Sequence, residues 1–202
     1  ALIILITMTE TIFKSDGALL TKQKFLKLNL LAECVEAIKP LLLRDVKFKL
    51  YGRECTMRRG QRLVGGSLWY RFSGVKFQSV NPTGPLECFE RLLTDVNDLC
   101  DAEYTHILVN EYIDGSQYIS DHADDEDEVD PEHGVITLSY GATRKFVIKD
   151  KKSKKRVAVI PLISGELLTM KGPNFQRDFT HGVPKQLTVK NPRYSFTFRK
   201  FK

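Results

Sequence analysis

Eight short segments with β-strand character fill the second half of the sequence. They alternate apolar and polar residues or are rich in β-branched residues, and turn sequences such as Asp114-Gly115 and Ser164-Gly165 separate them. The segments span 104–110, 117–122, 135–140, 144–149, 156–160, 166–170, 177–181 and 193–201. Strands of this length and spacing predict an antiparallel jelly roll or sandwich.

The first half of the sequence predicts helices and hairpins instead. Apolar residues at helical spacing predict a helix over 29–39, and a proline opens a second helix over 85–99. Residues 47–51 alternate as a strand does and reach a turn at Tyr51-Gly52, and 68–72 predict a further strand. The expected fold is therefore α+β but mainly β, with N-terminal helices supporting one sheet.

The chain length of 202 residues is that of one ordinary domain. We expect residues 1–15 to be an N-terminal extension and 16–202 one continuous domain, in which 16–103 carry helices and hairpins and 104–202 the β core. The apolar start, 1–6, is far shorter than the ~20 residues that cross a bilayer, and no basic residue precedes it as in a secretory signal. We therefore expect an intracellular protein without a membrane partner, acting as a monomer.

The four cysteines are far apart in the sequence, at positions 34, 55, 88 and 100. Structural zinc sites use closely spaced cysteine pairs, so a thiolate zinc site is not expected. Free cysteines in a reducing compartment usually serve as small buried apolar groups, and this is the role we expect here.

Charge is distributed unevenly along the chain. Eight of the 25 acidic residues lie within 121–132, a stretch without Lys or Arg, and the remaining 17 are outnumbered by 31 basic residues. A basic body predicts a polyanionic partner, with nucleic acid the first choice, although the basic run at 149–156 is equally well explained as a solvated turn. An acidic cluster in such a protein would weaken phosphate binding unless it held a cation, which points to a metal site there.

Two histidines and an aspartate in the β region have the composition of a metal site. His122 and Asp124 are two residues apart, so on one strand their side chains would share a face, and His181 would come from another strand. Two imidazoles and one carboxylate form the ligand set of non-haem Fe(II) oxygenases. Taken alone, the pair is only moderately specific, because ordinary surface or core histidines give the same pattern.

The last segment carries two arginines on one face. Arg193 and Arg199 are six residues apart, roughly 20 Å along an extended strand, and guanidinium groups pair bidentately with carboxylates. Two such groups could hold a short dicarboxylate, and Asn110 and Tyr112 offer an amide and a phenol to the same pocket. The simpler interpretation of Arg199 is a surface charge near the C-terminus.

Together these residues resemble the AlkB family of Fe(II)- and 2-oxoglutarate-dependent dioxygenases, over 16–202. The resemblance rests on Asn110-x-Tyr112, His122-x-Asp124, His181, Arg193 with Arg199, and the segments SYGATRKF at 139–146 and RVAV at 156–159. It implies a double-stranded β-helix of the jelly-roll or cupin type. It further implies iron on His122, Asp124 and His181, and 2-oxoglutarate held by Asn110, Tyr112, Arg193 and Arg199, with Ser195 nearby.

The resemblance also implies a reaction and a substrate. The family oxidises methyl groups on base nitrogens, with 2-oxoglutarate and O₂ as cosubstrates, and releases formaldehyde, succinate and CO₂. The expected substrates are 1-methyladenine and 3-methylcytosine in DNA or RNA. A base buried in a duplex must be flipped out, at a cost of a few kcal/mol that is smallest for damaged or unpaired bases.

Six residues are expected to contact the substrate. Tyr70 and Phe72 match the pocket aromatics of the family, and Asp125 or Glu126 would sit beside the base and favour a cationic lesion. Tyr51 would fill the gap left by a flipped base, and Arg59, with Arg53, Arg58 and Arg62, would bind phosphates. Each has a plainer interpretation: Phe72 as core, the arginines as surface charge, and Glu126 as a solvated group or a support for the metal ligands.

Two other functions remain open at this point. An enzyme of the same fold acting on protein side chains would share the metal ligands but has no need of the basic body. A non-catalytic nucleic-acid-binding module on the same scaffold would not need His122, Asp124 and His181.

Overall fold

A computed structural model describes residues 8–50, 52–72, 75–126, 128–130 and 132–202. Within these ranges the chain forms three α-helices, α1 (Leu28–Ile38), α2 (Glu87–Cys100) and the single turn α3 (Phe175–Asp178), and two short 3₁₀ helices, Lys39–Leu41 and Gly84–Leu86. The strands are β1 (Glu10–Ser15), β2 (Ala18–Lys24), β3 (Lys47–Leu50), β4 (Arg53–Thr56), β5 (Gly60–Gly65), β6 (Trp69–Phe72), β7 (Val75–Gln78), β8 (His106–Tyr112), β9 (Ile119–His122), β10 (Val135–Gly141), β11 (Arg144–Asp150), β12 (Arg156–Leu162), β13 (Glu166–Lys171), β14 (Phe179–Val183) and β15 (Arg193–Arg199).

Two antiparallel sheets make up most of the molecule. The larger sheet has seven strands in the order β1-β2-β13-β10-β15-β8-β5, and the smaller has four in the order β12-β11-β14-β9. The pairs β3-β4 and β6-β7 form separate two-stranded hairpins. The protein is therefore mainly β, as the sequence predicted.

The inner faces of the two sheets enclose one apolar core. Val135 and Met170 from the larger sheet and Phe146, Ile148 and Val183 from the smaller belong to one buried cluster. Alternate residues of a strand point to opposite faces, so each of these strands gives every second side chain to this core. The sandwich holds its two sheets together by this burial.

Helices α1 and α2 cover the other face of the larger sheet. Helix α1 buries Leu31, Cys34, Val35 and Ile38, a spacing of three and four residues that forms one apolar stripe. This stripe and the matching one on α2 pack in one cluster with Phe196 and Phe198 of β15. Among the described residues, none of the helices combines the length and the apolar character that a membrane span requires.

The predicted elements are found close to their expected positions. Both helices form, and each of the eight C-terminal segments contains a strand. The largest shift is at 177–181, where the turn α3 comes first and the strand begins only at Phe179. All four cysteines are free; Cys34 and Cys88 are buried, and Cys55 and Cys100 are half-buried.

The N-terminal boundary differs from the expectation. Residues 10–15, expected to lie in an extension outside the domain, form the edge strand β1, and β2 joins β1 to β13 in the larger sheet. Strand β5 likewise pairs with β8 at the other edge. Sequence analysis missed β2 and β5 because each pairs with a strand distant in the sequence, β13 or β8, which local alternation does not reveal; β1 in turn depends on β2.

Candidate active site

A cavity opens between the two sheets and is lined by residues from both. Strands β8 and β15 contribute Asn110, Tyr112, Arg193 and Arg199, and the end of β9 and strand β14 contribute His122 and His181. Most enzymes place their chemistry in such a polar-lined cavity within an otherwise apolar fold.

His122, Asp124 and His181 form a compact group in this cavity. One ligand atom from each lies within 4.8 Å of the others, a spacing that suits a single metal ion. His181 Nε2 is 3.3 Å from Asp124 Oδ2, and His122 Nε2 is 3.9 Å from Asp124 Oδ1. The two histidines are direct cross-strand neighbours on β14 and β9, whereas Asp124 lies in the loop after β9 rather than on the strand.

Neighbouring groups orient the three side chains. His122 Nδ1 lies 2.9 Å from the Ser120 carbonyl oxygen, so that Nε2 is directed to the group. The backbone N–H of Asp124 donates to Gln176 Oε1 at 2.9 Å. The ring of Phe146 stacks on His181 at 5.3 Å. Metal-binding histidines characteristically have their second nitrogen fixed, as His122 does here, whereas Nδ1 of His181 is buried without a hydrogen-bond partner.

The protonation states of the group suit a cation. Burial and the nearby His181 lower the pKa of His122 to about 4. Burial alone would raise the pKa of Asp124, but Arg199 and the two imidazoles hold that pKa well below its ordinary value. A neutral imidazole and an ionised carboxylate are the forms that bind metal ions.

Arg199 is bound to the metal-ligand candidates rather than free. Its Nη2 donates to Asp124 Oδ1, and its Nη1 donates to the Tyr70 hydroxyl at 2.7 Å and lies 3.6 Å from Glu126 Oε1. Burial would lower the pKa of Arg199, but Asp124 raises it above its ordinary value. The surface-charge interpretation of Arg199 is therefore wrong, since the residue is 3% exposed.

Arg193, unlike Arg199, is a buried cation with nitrogen atoms that make no hydrogen bond. It is 1% exposed and its Nη2 donates to Ser139 Oγ at 2.9 Å, while its Nε and Nη1 have no hydrogen-bond partner. Burial lowers the pKa of Arg193 to about 10. Leaving a buried charge unpaired is costly, so this arrangement fits an anionic ligand in the cavity.

The remaining cosubstrate candidates also line the cavity. Tyr112 packs against Arg193, whose Cζ is 5.4 Å from the ring centroid. Ser195 Oγ and Thr137 Oγ1 are hydrogen-bonded at 2.8 Å. Asn110 Oδ1 accepts a hydrogen bond of 2.8 Å from Arg59 Nε.

The position of Arg59 corrects the expectation for that residue. Arg59 is 7% exposed and lines the cavity, and burial lowers its pKa. A side chain held there is not placed as a surface contact for phosphates. The basic run that contains it suggested a surface position, but the neighbouring β5 pairs with β8 and draws Arg59 inward.

Comparison with known proteins identifies the family. The family model of the 2OG-Fe(II) oxygenase superfamily matches residues 28–199. The chain is 33% identical to "DNA oxidative demethylase ALKBH2" of Homo sapiens over 162 residues, 76% of this chain and 60% of that protein. It is 32% identical to "Alpha-ketoglutarate-dependent dioxygenase alkB homolog 3" of Mus musculus over 143 residues, 66% of this chain and 49% of that protein. This chain belongs to the AlkB family.

A solved structure of an AlkB-type protein shares the fold. The structure of OsALKBH1 superposes with a TM-score of 0.60 at 18% identity, covering 94% of this chain and 99% of that one. The chain spans 60% of the length of human ALKBH2. The superfamily is defined by Fe(II) and 2-oxoglutarate, and the His122, Asp124 and His181 group and the unpaired N–H groups of Arg193 fit this metal and cosubstrate.

The residues of this AlkB chain that are expected to contact the substrate differ in their burial and in their contacts. Tyr70 is 2% exposed, donates its hydroxyl hydrogen to Glu126 Oε1 and packs edge-on against Phe201. Glu126 Oε2 is buried without a hydrogen-bond partner, whereas Asp125 is exposed and lies 3.3 Å from Lys151 Nζ. Tyr51 lies outside the described residues, as does the side chain of Phe72, whose backbone ends β6.

Sequence analysis assigned no role to Arg144, a buried residue that packs against the pocket residue Tyr112. Arg144 is fully buried and donates to the backbone carbonyls of Asp114, Gln117 and Pro184 at 2.7–2.9 Å. Its Cζ lies 5.6 Å from the centroid of the Tyr112 ring. A lone Arg at the start of an alternating strand gives no signal for such a role.

Proposed function

We propose that this chain is an Fe(II)- and 2-oxoglutarate-dependent dioxygenase that demethylates 1-methyladenine and 3-methylcytosine in DNA or RNA. The methyl carbon would leave as formaldehyde, and 2-oxoglutarate would be converted to succinate and CO₂. One observation carries the proposal: a single cavity holds a two-histidine, one-aspartate group together with the buried, incompletely paired Arg193.

The proposed ligands follow from this cavity. His122, Asp124 and His181 would hold the iron, which together with 2-oxoglutarate and O₂ supplies the oxidation of the methyl group. Arg193 would bind a carboxylate of 2-oxoglutarate through Nε and Nη1. Asn110, Tyr112 and Ser195 line the same space, and Arg199 would hold Asp124 in place as well as contribute positive charge.

The proposed substrate rests on charge and on the relatives. The relative ALKBH2 is a DNA oxidative demethylase, and the present chain has a net charge of +6. Glu126 Oε2 is an unused buried acceptor held by Tyr70, and a carboxylate beside a base favours a cationic lesion over a neutral base. Phe72, Asp125 and Tyr51 remain proposed substrate contacts on the basis of the sequence resemblance.

We further propose that the two sheets form a double-stranded β-helix. The segment 104–202 supplies four neighbouring strands to each sheet, β13-β10-β15-β8 and β12-β11-β14-β9, as that architecture requires. The hairpins within 16–103 would then serve nucleic-acid recognition. A monomer acting inside the cell is the simplest assembly in keeping with this arrangement.

The decisive experiment is a demethylation assay. The protein is incubated with Fe(II), ascorbate, 2-oxoglutarate and single- or double-stranded DNA and RNA oligonucleotides that carry 1-methyladenine or 3-methylcytosine. We expect mass spectrometry to show loss of the methyl group from at least one of them. His122→Ala and Asp124→Ala should abolish this loss, whereas Asp98→Ala, an exposed carboxylate on α2, should not.

Two results would contradict the proposal. Methyl loss that persists in the Asp124→Ala variant would remove the ligand assignment. Conversion of 2-oxoglutarate with no methyl loss from any oligonucleotide would exclude the nucleic-acid substrate and favour protein side chains.

A further inference from the structure

The hairpin β6-β7 carries the single tryptophan of the chain on its outer face. Trp69 is 53% exposed, while its neighbour Tyr70 is 2% exposed. Successive side chains of a strand point to opposite faces, so Tyr70 faces the interior and Trp69 faces solvent. Tryptophan is enriched at binding interfaces, because its indole offers a large apolar face together with a polar N–H group.

A lysine on the second strand of the hairpin covers part of this indole. Lys76 Nζ lies 4.8 Å from the centroid of the Trp69 ring, and Lys76 is itself exposed. On the same strand, Phe77 is buried and Gln78, the cross-strand partner of Trp69, is exposed. The outer face of the hairpin therefore combines an aromatic ring, a cation and an amide.

The inner face of the same hairpin reaches the candidate active site. The Tyr70 hydroxyl donates to Glu126 and accepts a hydrogen bond from Arg199, which in turn binds Asp124. Trp69 is thus one residue away from a side chain that is linked through Arg199 to the proposed metal-ligand group. A strand of nucleic acid with one base in the cavity would have its neighbouring nucleotides outside, on the surface around such a hairpin.

We propose that Trp69 and Lys76 form a stacking platform for an unpaired base of the nucleic-acid strand outside the cavity. The inference rests on the proposed function, since it takes nucleic acid as the substrate. The indole stacks on the face of any base, and the ammonium group attracts the adjacent phosphate. Charge favours this occupant, since the chain has a net charge of +6 and Lys76 places a cation beside the ring, both of which attract a polyanionic strand.

The single tryptophan makes the test specific. Because Trp69 is the only indole, the intrinsic tryptophan fluorescence of the full chain reports on this side chain alone. We expect an unmethylated oligothymidine to quench the emission strongly at low salt. An oligonucleotide of the same length made of abasic sites presents the same phosphates without bases and should quench weakly.

Variants separate stacking from charge. Trp69→Ala should weaken binding of a labelled oligothymidine about tenfold, measured by fluorescence anisotropy, and Trp69→Phe should retain most of the affinity. Lys76→Gln should reduce the salt dependence by about one counterion. Lys14→Gln, which removes an exposed charge from β1 at the opposite edge of the larger sheet, is the matched control and should change neither quantity.

The outcomes distinguish this inference from the proposed function. Demethylation in the assay above without any quenching by oligothymidine would overturn the platform and leave the function standing. Equal quenching by the abasic oligonucleotide would also overturn it, as would emission that changes with protein concentration alone, because self-association would then cover Trp69. Quenching in a preparation that fails to demethylate would support the platform independently.

Discussion

The two faces of strand β15 have nearly equal burial and opposite chemistry. Tyr194, Phe196 and Phe198 point to the helices and belong to the apolar cluster beneath them. Arg193, Ser195, Thr197 and Arg199 point to the cavity between the sheets. All seven residues are buried, so exposure alone does not distinguish the stabilising face from the functional one.

The difference shows where this fold gains and loses stability. Burying a Phe side chain contributes roughly 1.5–3 kcal/mol, whereas a buried charge costs free energy unless it is paired. Arg199 is paired with Asp124, but Nε and Nη1 of Arg193 have no hydrogen-bond partner. The cavity face is therefore maintained at the expense of stability, as binding sites commonly are.

The first test of this comparison uses the apolar face and has the largest expected effect. Phe196→Ala removes a ring that is fully buried against Phe89, and it should lower the free energy of unfolding by about 3–5 kcal/mol in urea titrations. Thr197→Val, on the cavity face of the same strand, should change it by less than about 1 kcal/mol. Equal losses would mean that both faces stabilise the fold alike.

A second test compares two buried arginines. Arg144 makes three hydrogen bonds to backbone carbonyls, so Arg144→Met leaves those carbonyls without donors. We expect a loss of about 2–4 kcal/mol in the free energy of unfolding, measured by urea denaturation. A variant as stable as the wild type would show that Arg144 is not a structural anchor.

The matching substitution at Arg193 should have little effect on stability. Arg193→Met replaces a poorly paired buried cation by an apolar side chain, which should leave the free energy of unfolding unchanged or raise it by about 1 kcal/mol. The apparent KM for 2-oxoglutarate should rise roughly 100-fold, because two charge-assisted hydrogen bonds are lost. A large loss of stability with unchanged KM would contradict the proposed role.

The smallest expected effect is on the pH dependence of stability, and it comes from His106 at the end of the cavity face. His106 is buried beside Phe201 and its ring lies 3.1 Å from the Gly66 carbonyl oxygen; burial lowers its pKa. As pH falls below the ordinary histidine pKa of about 6.5, the unfolded chain takes up a proton that folded His106 resists. Its contribution to stability is therefore present above that pH and is lost below it.

The measurement is a difference between two proteins. Urea denaturation of the wild type at neutral and mildly acidic pH should show a steeper loss of stability than His106→Gln shows over the same range. Because the other histidines are present in both proteins, the difference isolates His106. Parallel curves would show that this side chain does not resist protonation.

Local patterns were sufficient for the helices and for the C-terminal strands. Helices α1 and α2 were predicted because their apolar residues recur at three and four positions, and the fold buries that stripe. Strands with alternating residues were predicted for a similar reason. In contrast, β5 pairs with β8, and the hairpin of β1 and β2 joins the larger sheet through β13; both of these partners are far away in the sequence.

Local sequence patterns predicted only part of the candidate site. The residue types and their spacing pointed to His122, Asp124 and His181, yet the register that sets His181 opposite His122 is a property of the folded sheet. Arg59 lies in a basic run typical of surfaces but is buried beside Asn110. The pairing of Arg199 with Asp124 likewise joins residues 75 positions apart.

The sequence by itself determined which side chains share a face, because strand and helix periods are fixed by backbone geometry over a few residues. It also determined the chemical types available for a metal and an anion. Tertiary structure decided which of those faces met across the sandwich and which charges were buried with or without a partner. These outcomes depend on the packing and desolvation of distant segments, and no local pattern encodes them.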